Sequence, residues 1–129
     1  MKKGSASGRN GGRPFGFNIV YGFGDTSAAT ENMVVYDGVM HKLEEVSFLI
    51  PDGETSFMKP WRFTSSDNRF EMDFTPVLDR HSNPPPGAQY GSDQHQVFGY
   101  FTGRAVLDDG TALPVERLFG FAEKVVNRW

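Results

Sequence analysis

The residues best suited to chemistry in this 129-residue chain lie in Asp93-Gln94-His95-Gln96. Side chains two apart on a strand share a face, so Asp93 and His95 would point one way and Gln94 and Gln96 the other. A carboxylate beside an imidazole can orient it for proton transfer. The same pair at the start of a strand can also be solvated decoration. A second polar group lies in Tyr21–Gly38, "YGFGDTSAATENMVVYDG". Asp25, Glu31 and Asn32 stand there with no base between Asp25 and Val34. At the mouth of a barrel they could orient a ligand, and Glu31 joins His95 as a candidate proton donor. As connection chemistry, Asp25 or Thr26 would cap a turn through backbone N–H groups. Gly22-Phe23-Gly24-Asp25 lacks the spacing and the Gly-Lys-Ser/Thr end of a phosphate loop. Ser27 lacks a nucleophile elbow.

Trp61, with Lys59 and Arg62 nearby, could stack a planar ligand, although burial in a core would suit it equally. Glu71 and Asp73 share a face roughly 7 Å apart, which suits an inverting glycosidase. The wet face of a half-buried strand explains them more simply. His41, His81 and His95 form no His-x-x-x-His pair, and no metal site is read from them. No cofactor is implied.

The elements that must position these groups are strands. Phe15, Phe17, Ile19, Tyr21 and Phe23 alternate with small or polar residues, the period of a half-buried strand. Asn10-Gly11-Gly12 marks a hairpin that pairs this strand with residues 3–9. Asp37-Gly38 marks a second hairpin, with a return strand from Val39 to Ile50 and a bulge at Glu44-Glu45, where the alternation slips. A strand over Phe57–Thr64, with Pro60 at an edge or bulge, follows the turn at Pro51-Asp52-Gly53. Ser65–Asn68 turns, and Phe70, Met72 and Phe74 alternate with Glu71, Asp73 and Thr75. His81–Gly91 holds Pro84-Pro85-Pro86 and reads as a surface loop. Val97–Leu107 is a long strand, Asp108-Asp109-Gly110 a hairpin and Thr111–Val115 its return. Arg117–Trp129 fits strand better than helix, with a helical turn near Arg117–Phe119. The expectation is an all-β antiparallel meander of eight to nine strands, one domain over 1–129, curled into a lipocalin-like (calycin-like) half-barrel or a sandwich.

The totals narrow the function. Formal charge is −3, which leaves no basic excess for a phosphate backbone and excludes non-specific nucleic-acid binding. Absence of cysteine excludes disulfides, thiolate metal sites and thiol nucleophiles. No apolar run approaches the roughly 20 residues of a membrane helix, and no signal-peptide core follows Lys2-Lys3. A soluble, cytoplasmic protein is expected.

"GSASG", "PFGFNIVYGFGDTSAATENM", "HKLEEVSFLIP", "MKPWRFTSSDNRFEMDFTPVLDR", "SDQHQVFGYFTGRAVLDDGT" and "GFAEKVVNRW" occur in order over nearly the whole chain. Together they resemble the C-terminal half of a bacterial family, the domain-of-unknown-function 2804 family. The resemblance implies a missing N-terminal half, a more distant kinship with lipocalin-like proteins, and no catalytic residues to carry over. Without that half, the first and last strands would expose unpaired edges, to be covered by a homodimer or by an N-terminal partner half. Three functions fit. One is a binding protein whose aromatic row of Phe15, Phe17 and Phe23, with Phe98, Tyr100 or Phe101, lines a pocket for a small apolar or amphipathic molecule. A second is a cofactor-independent hydratase or isomerase using His95 or Glu31. A third is a structural half-domain.

Overall fold

The computed structural model describes residues 1–21, 31–83 and 91–128. Their strands are β1 (Lys2–Asn10), β2 (Arg13–Tyr21), β3 (Met33–Tyr36), β4 (Val39–Lys42), β5 (Val46–Leu49), β6 (Trp61–Ser65), β7 (Phe70–Ser82), β8 (Gly91–Val106) and β9 (Ala112–Arg128). All pair antiparallel in one sheet of order β4-β3-β2-β1-β9-β8-β7-β6-β5. This is the expected all-β meander, curled as a half-barrel.

Local chemistry explains the turns. Gly11 and Gly12 sit at φ +59° and +79°, a left-handed pair that closes the β1–β2 hairpin in register with the strands' twist. Asp37-Gly38 does the same between β3 and β4. Alternation then sorts the faces. Phe15, Phe17 and Ile19 of β2, Trp61 and Phe63 of β6, Phe70, Met72 and Phe74 of β7, and Val97 and Phe101 of β8 are all buried. Their rings interlock: Phe17 meets Phe70 edge-on at 5.0 Å and Phe101 edge-on at 4.9 Å, and Phe74 lies tilted against Phe101 at 4.6 Å. The interior is filled by these side chains.

Four expectations are corrected. The first and last strands are not edges. β1 pairs with β9, from Lys2 opposite Lys124 to Ala6 opposite Gly120, so the edges are β4 and β5. Val39–Ile50 is not one strand. It breaks at Leu43–Glu45, where the chain passes from one edge of the sheet to the other. Asn32 fastens the crossing. Its side-chain oxygen accepts from Val20 N–H at 2.7 Å, its amide donates to Glu44 C=O at 3.1 Å, and its own carbonyl accepts from Leu43 N–H. The strand expected over Phe57–Thr64 starts only at Trp61, after a helical turn at Pro51–Glu54 in which Asp52 and Gly53 are left-handed. Finally, β7 and β8 run to Ser82 and from Gly91, further into the proline-rich region than a loop over His81–Gly91 allows. Pro84–Pro86 themselves lie outside the described residues.

The tail is strand, as read, but Arg117 adopts φ +46° at a bulge opposite the Phe101–Gly103 register shift, in place of a helical turn. Phe98 and Tyr100 turn outward. Phe98 stacks on Phe119 at 6.3 Å, and Tyr100 meets it edge-on at 5.6 Å. Phe15, Phe17 and Phe101 point inward, and Phe23 lies outside the described residues. Among the described residues no helix is long and apolar enough to cross a membrane.

Candidate functional site

Two copies of Asp-x-His, Asp79-Arg80-His81 and Asp93-Gln94-His95, lie on the paired ends of β7 and β8. The antiparallel register sets His81 opposite His95, so each imidazole meets the other strand's carboxylate. His95 Nδ1 lies 2.8 Å from Asp79 Oδ2, and His81 Nε2 lies 2.7 Å from Asp93 Oδ1. The nitrogen facing each carboxylate carries the proton and donates it.

The two imidazoles stack, centroids 3.8 Å apart and planes within 10°. Phe57 lies on the other face of His95 at the same 3.8 Å and 10°. The result is a three-ring column, Phe57–His95–His81. Trp61 positions Phe57: its indole N–H donates to Phe57 C=O at 2.8 Å, and the rings lie 6.0 Å apart. The column is graded in exposure. The Asp79 and His95 side chains are 19% and 18% exposed, those of His81 and Asp93 42% and 50%. An inner, sheltered pair thus sits beside an outer, wet one. Asp79 Oδ1 is buried and has no hydrogen-bond partner among the described residues.

A cationic pair flanks the column. Lys124 of β9 is in register with His95, and Lys2 of β1 with Lys124. Both ammonium groups donate to Glu54, Lys124 at 2.9 Å. Glu54 itself sits at φ +66° just after the left-handed turn. The hydrogen bond from Lys2 holds its carboxyl below the usual range; burial opposes that shift and Lys124 adds to it. A cavity of about 350 Å³ opens here between Glu54, Phe57, Asp93, His95, Lys124 and Val126. A second, of about 380 Å³, lies on the other side, beside Thr55, Met58 and Asp79.

The residues singled out in the sequence divide accordingly. Asp93 and His95 are in the column, although Asp93's own contact is His81 rather than His95. Trp61, 1% exposed, belongs to the core and touches the site through Phe57. Asn32 is fully buried at the strand crossing. Glu31 is exposed and lines neither cavity. Asp25 lies outside the described residues. Sequence reasoning missed His81, Asp79, Phe57, Lys2, Lys124 and Glu54. The repeated Asp-x-His on either side of the proline-rich segment was the signal available for the first two.

The fold and this site define an all-β half-barrel with a packed interior and a polar, aromatic cluster at the paired ends of β7 and β8. More narrowly, the chain belongs to the family called domain of unknown function, DUF2804, whose model matches residues 3–129. No curated protein and no solved structure matches it.

Proposed function

We propose that this protein binds a small amphipathic molecule at the mouth of its half-barrel. One observation carries the reading: a cavity of about 350 Å³ sits beside the Phe57–His95–His81 column, lined by both apolar groups, Phe57 and Val126, and charged ones, Glu54, Asp93 and Lys124. That volume is at the small end of ligand sites, which run from about 300 Å³ upward. Because rings fill the interior, a ligand would rest at the rim and not thread the barrel. Its apolar face would lie against Phe57 and Val126, and its polar head would reach Lys124, Asp93 and His95.

A second reading, a cofactor-independent hydratase or isomerase, is favoured by the sheltered Asp79–His95 pair. Asp79 on Nδ1 fixes the tautomer that leaves Nε2 free to accept a proton.

Native mass spectrometry of the untagged protein purified from cells tests the first reading. The expected result is a retained small molecule, released in Phe57→Ala. A wild-type chain without adduct, and with no saturable uptake of amphipathic probes, overturns it. His95→Gln separates the two readings: uptake is weakened but retained under both, since Phe57, Val126 and Lys124 remain, whereas any turnover of the released molecule is abolished under the second.

A further inference from the structure

We propose that His81, Asp93 and His95 bind a divalent first-row transition ion, with Asp79 as the positioning carboxylate behind His95. The inference goes beyond the ligand reading and does not rest on it. One donor atom from each of the three residues lies within 4.8 Å of the other two. Two imidazoles and a carboxylate suit zinc, nickel, copper or ferrous iron, whereas calcium and magnesium take oxygen ligands.

The second observation is the environment of His95. A ligating histidine almost always donates its other N–H to a carboxylate or carbonyl, which sets the tautomer and raises the basicity of the free nitrogen. The Asp79 Oδ2 contact at 2.8 Å supplies that bond to Nδ1 and leaves Nε2 as the ligand atom. Asp79 also carries a buried oxygen, Oδ1, with no partner among the described residues. A sheltered carboxylate held by one imidazole is short of positive charge, and a cation on the far side of that imidazole supplies it.

The stacked rings show what binding must change. Planes within 10° of each other cannot both aim lone pairs at one ion. Bonds of about 2.0–2.2 Å require ligand atoms about 3.3–3.5 Å apart. His81 is the residue that moves: it is the more exposed ring, one residue from the end of β7, and its partner is the other exposed ligand, Asp93. Tilting His81 off the column brings its nitrogen and the Asp93 carboxylate onto an ion seated at His95 Nε2. Three protein ligands leave an open coordination position for water or for a ligand in the mouth.

The test titrates untagged protein with Zn²⁺ alone by calorimetry in a non-coordinating buffer at neutral pH, and with Co²⁺ followed by its visible d–d bands. The expected result is one ion per chain. His81→Ala and His95→Ala should each weaken binding at least tenfold. Asp79→Asn should weaken it about 10- to 100-fold. The ¹⁵N shifts of His95 in that variant should show mixed tautomers even without metal, which a purely structural role would not produce. His81 is exposed, so His81→Ala keeps its fold, checked by an unchanged melting temperature. Absence of stoichiometric binding, or binding that survives the double His81→Ala/His95→Ala change, overturns the proposal. No organic ligand enters this measurement, so its failure leaves the ligand reading standing, and failure of that reading leaves this one.

Discussion

Asn32 shows how one polar side chain can decide a connection. It is fully buried, yet its carbonyl oxygen accepts from Val20 and its amide donates to Glu44, so the strand edge and the crossing segment are held by one amide plane. Leaving a buried N–H or C=O unpaired costs about 1–3 kcal/mol. Asn32→Ala should therefore lower unfolding stability by about 2–6 kcal/mol for the two groups, read as a lower urea midpoint at unchanged slope. Asn32→Asp should recover only the acceptor half. In the sequence Asn32 stood out as a polar residue beside Glu31, but its type could not distinguish a ligand contact from a backbone clamp. Both want an amide, and only its distance from Val20 and Glu44 separates them. His81 failed for the opposite reason. Its neighbours Ser82, Asn83 and Pro84 carry turn chemistry, which outweighed the strand alternation that Asp79 and His81 share with Val97 and His95.

At the scale of elements, the curl depends on a row of small residues across adjacent strands: Gly99 of β8, Gly120 of β9 and Ala6 of β1 are in register. A Cβ built on Gly120 would stand 2.3 Å from Ser5 C=O and 2.5 Å from Ala6 Cβ. The strands approach too closely there for any side chain. Overpacking of this kind costs about 1–3 kcal/mol, so Gly120→Ala should lower thermal stability and broaden the β-sheet melt followed by circular dichroism. An unchanged melting temperature would show that the strands can separate freely. The hairpin glycines were legible because Asn-Gly-Gly and Asp-Asp-Gly declare their turns. The coiling row was not, since Phe98, Phe101, Phe119 and Phe121 surround these glycines and point to both faces. Period-two counting assigns such aromatic runs to a core without choosing which ring goes in. The single bulge at Arg117, opposite the Phe101–Gly103 step, makes that choice. It shifts the register partway along β8 and β9, which turns Leu118 inward and Phe119 outward.

For the whole molecule, the free edges of the sheet, β4 and β5, are bridged by the chain itself at a seam over Leu43–Glu45. Arg69 ties several parts together there. It donates to Lys42 C=O at 3.0 Å, to Val106 C=O at 3.1 Å and to the Asp108 carboxylate at 2.6 Å. Asp67 accepts from Glu44 N–H across the same seam. Both carboxyls are held below their ordinary value of 3.8. For Asp108 the Arg69 hydrogen bond is the main cause. For Asp67 burial acts upward, and the bonds from Ser65, Glu44 and Arg69 outweigh it. Carboxyls depressed on folding bind fewer protons than in the unfolded chain. Their stabilisation is full above the unfolded value of about 4 and is lost as pH falls through the lower folded values. The urea midpoint should thus be level from pH 7 to about pH 5 and then decline on further acidification. Arg69→Met should lower the whole curve by leaving two carbonyls unmatched, and should also shallow the acid slope, because Asp108 would lose the main cause of its depression and keep only the smaller one from His41. Asp108 is largely exposed, so its share of the slope should shrink in high salt. Glu54 adds its own part of the slope, and Arg69→Met should leave that part intact. If the slope remained unaltered in Arg69→Met, the Arg69–Asp108 pair would play no part in the acid sensitivity, which would rest on the other depressed carboxyls, Glu54, Asp67, Asp52 and Asp109.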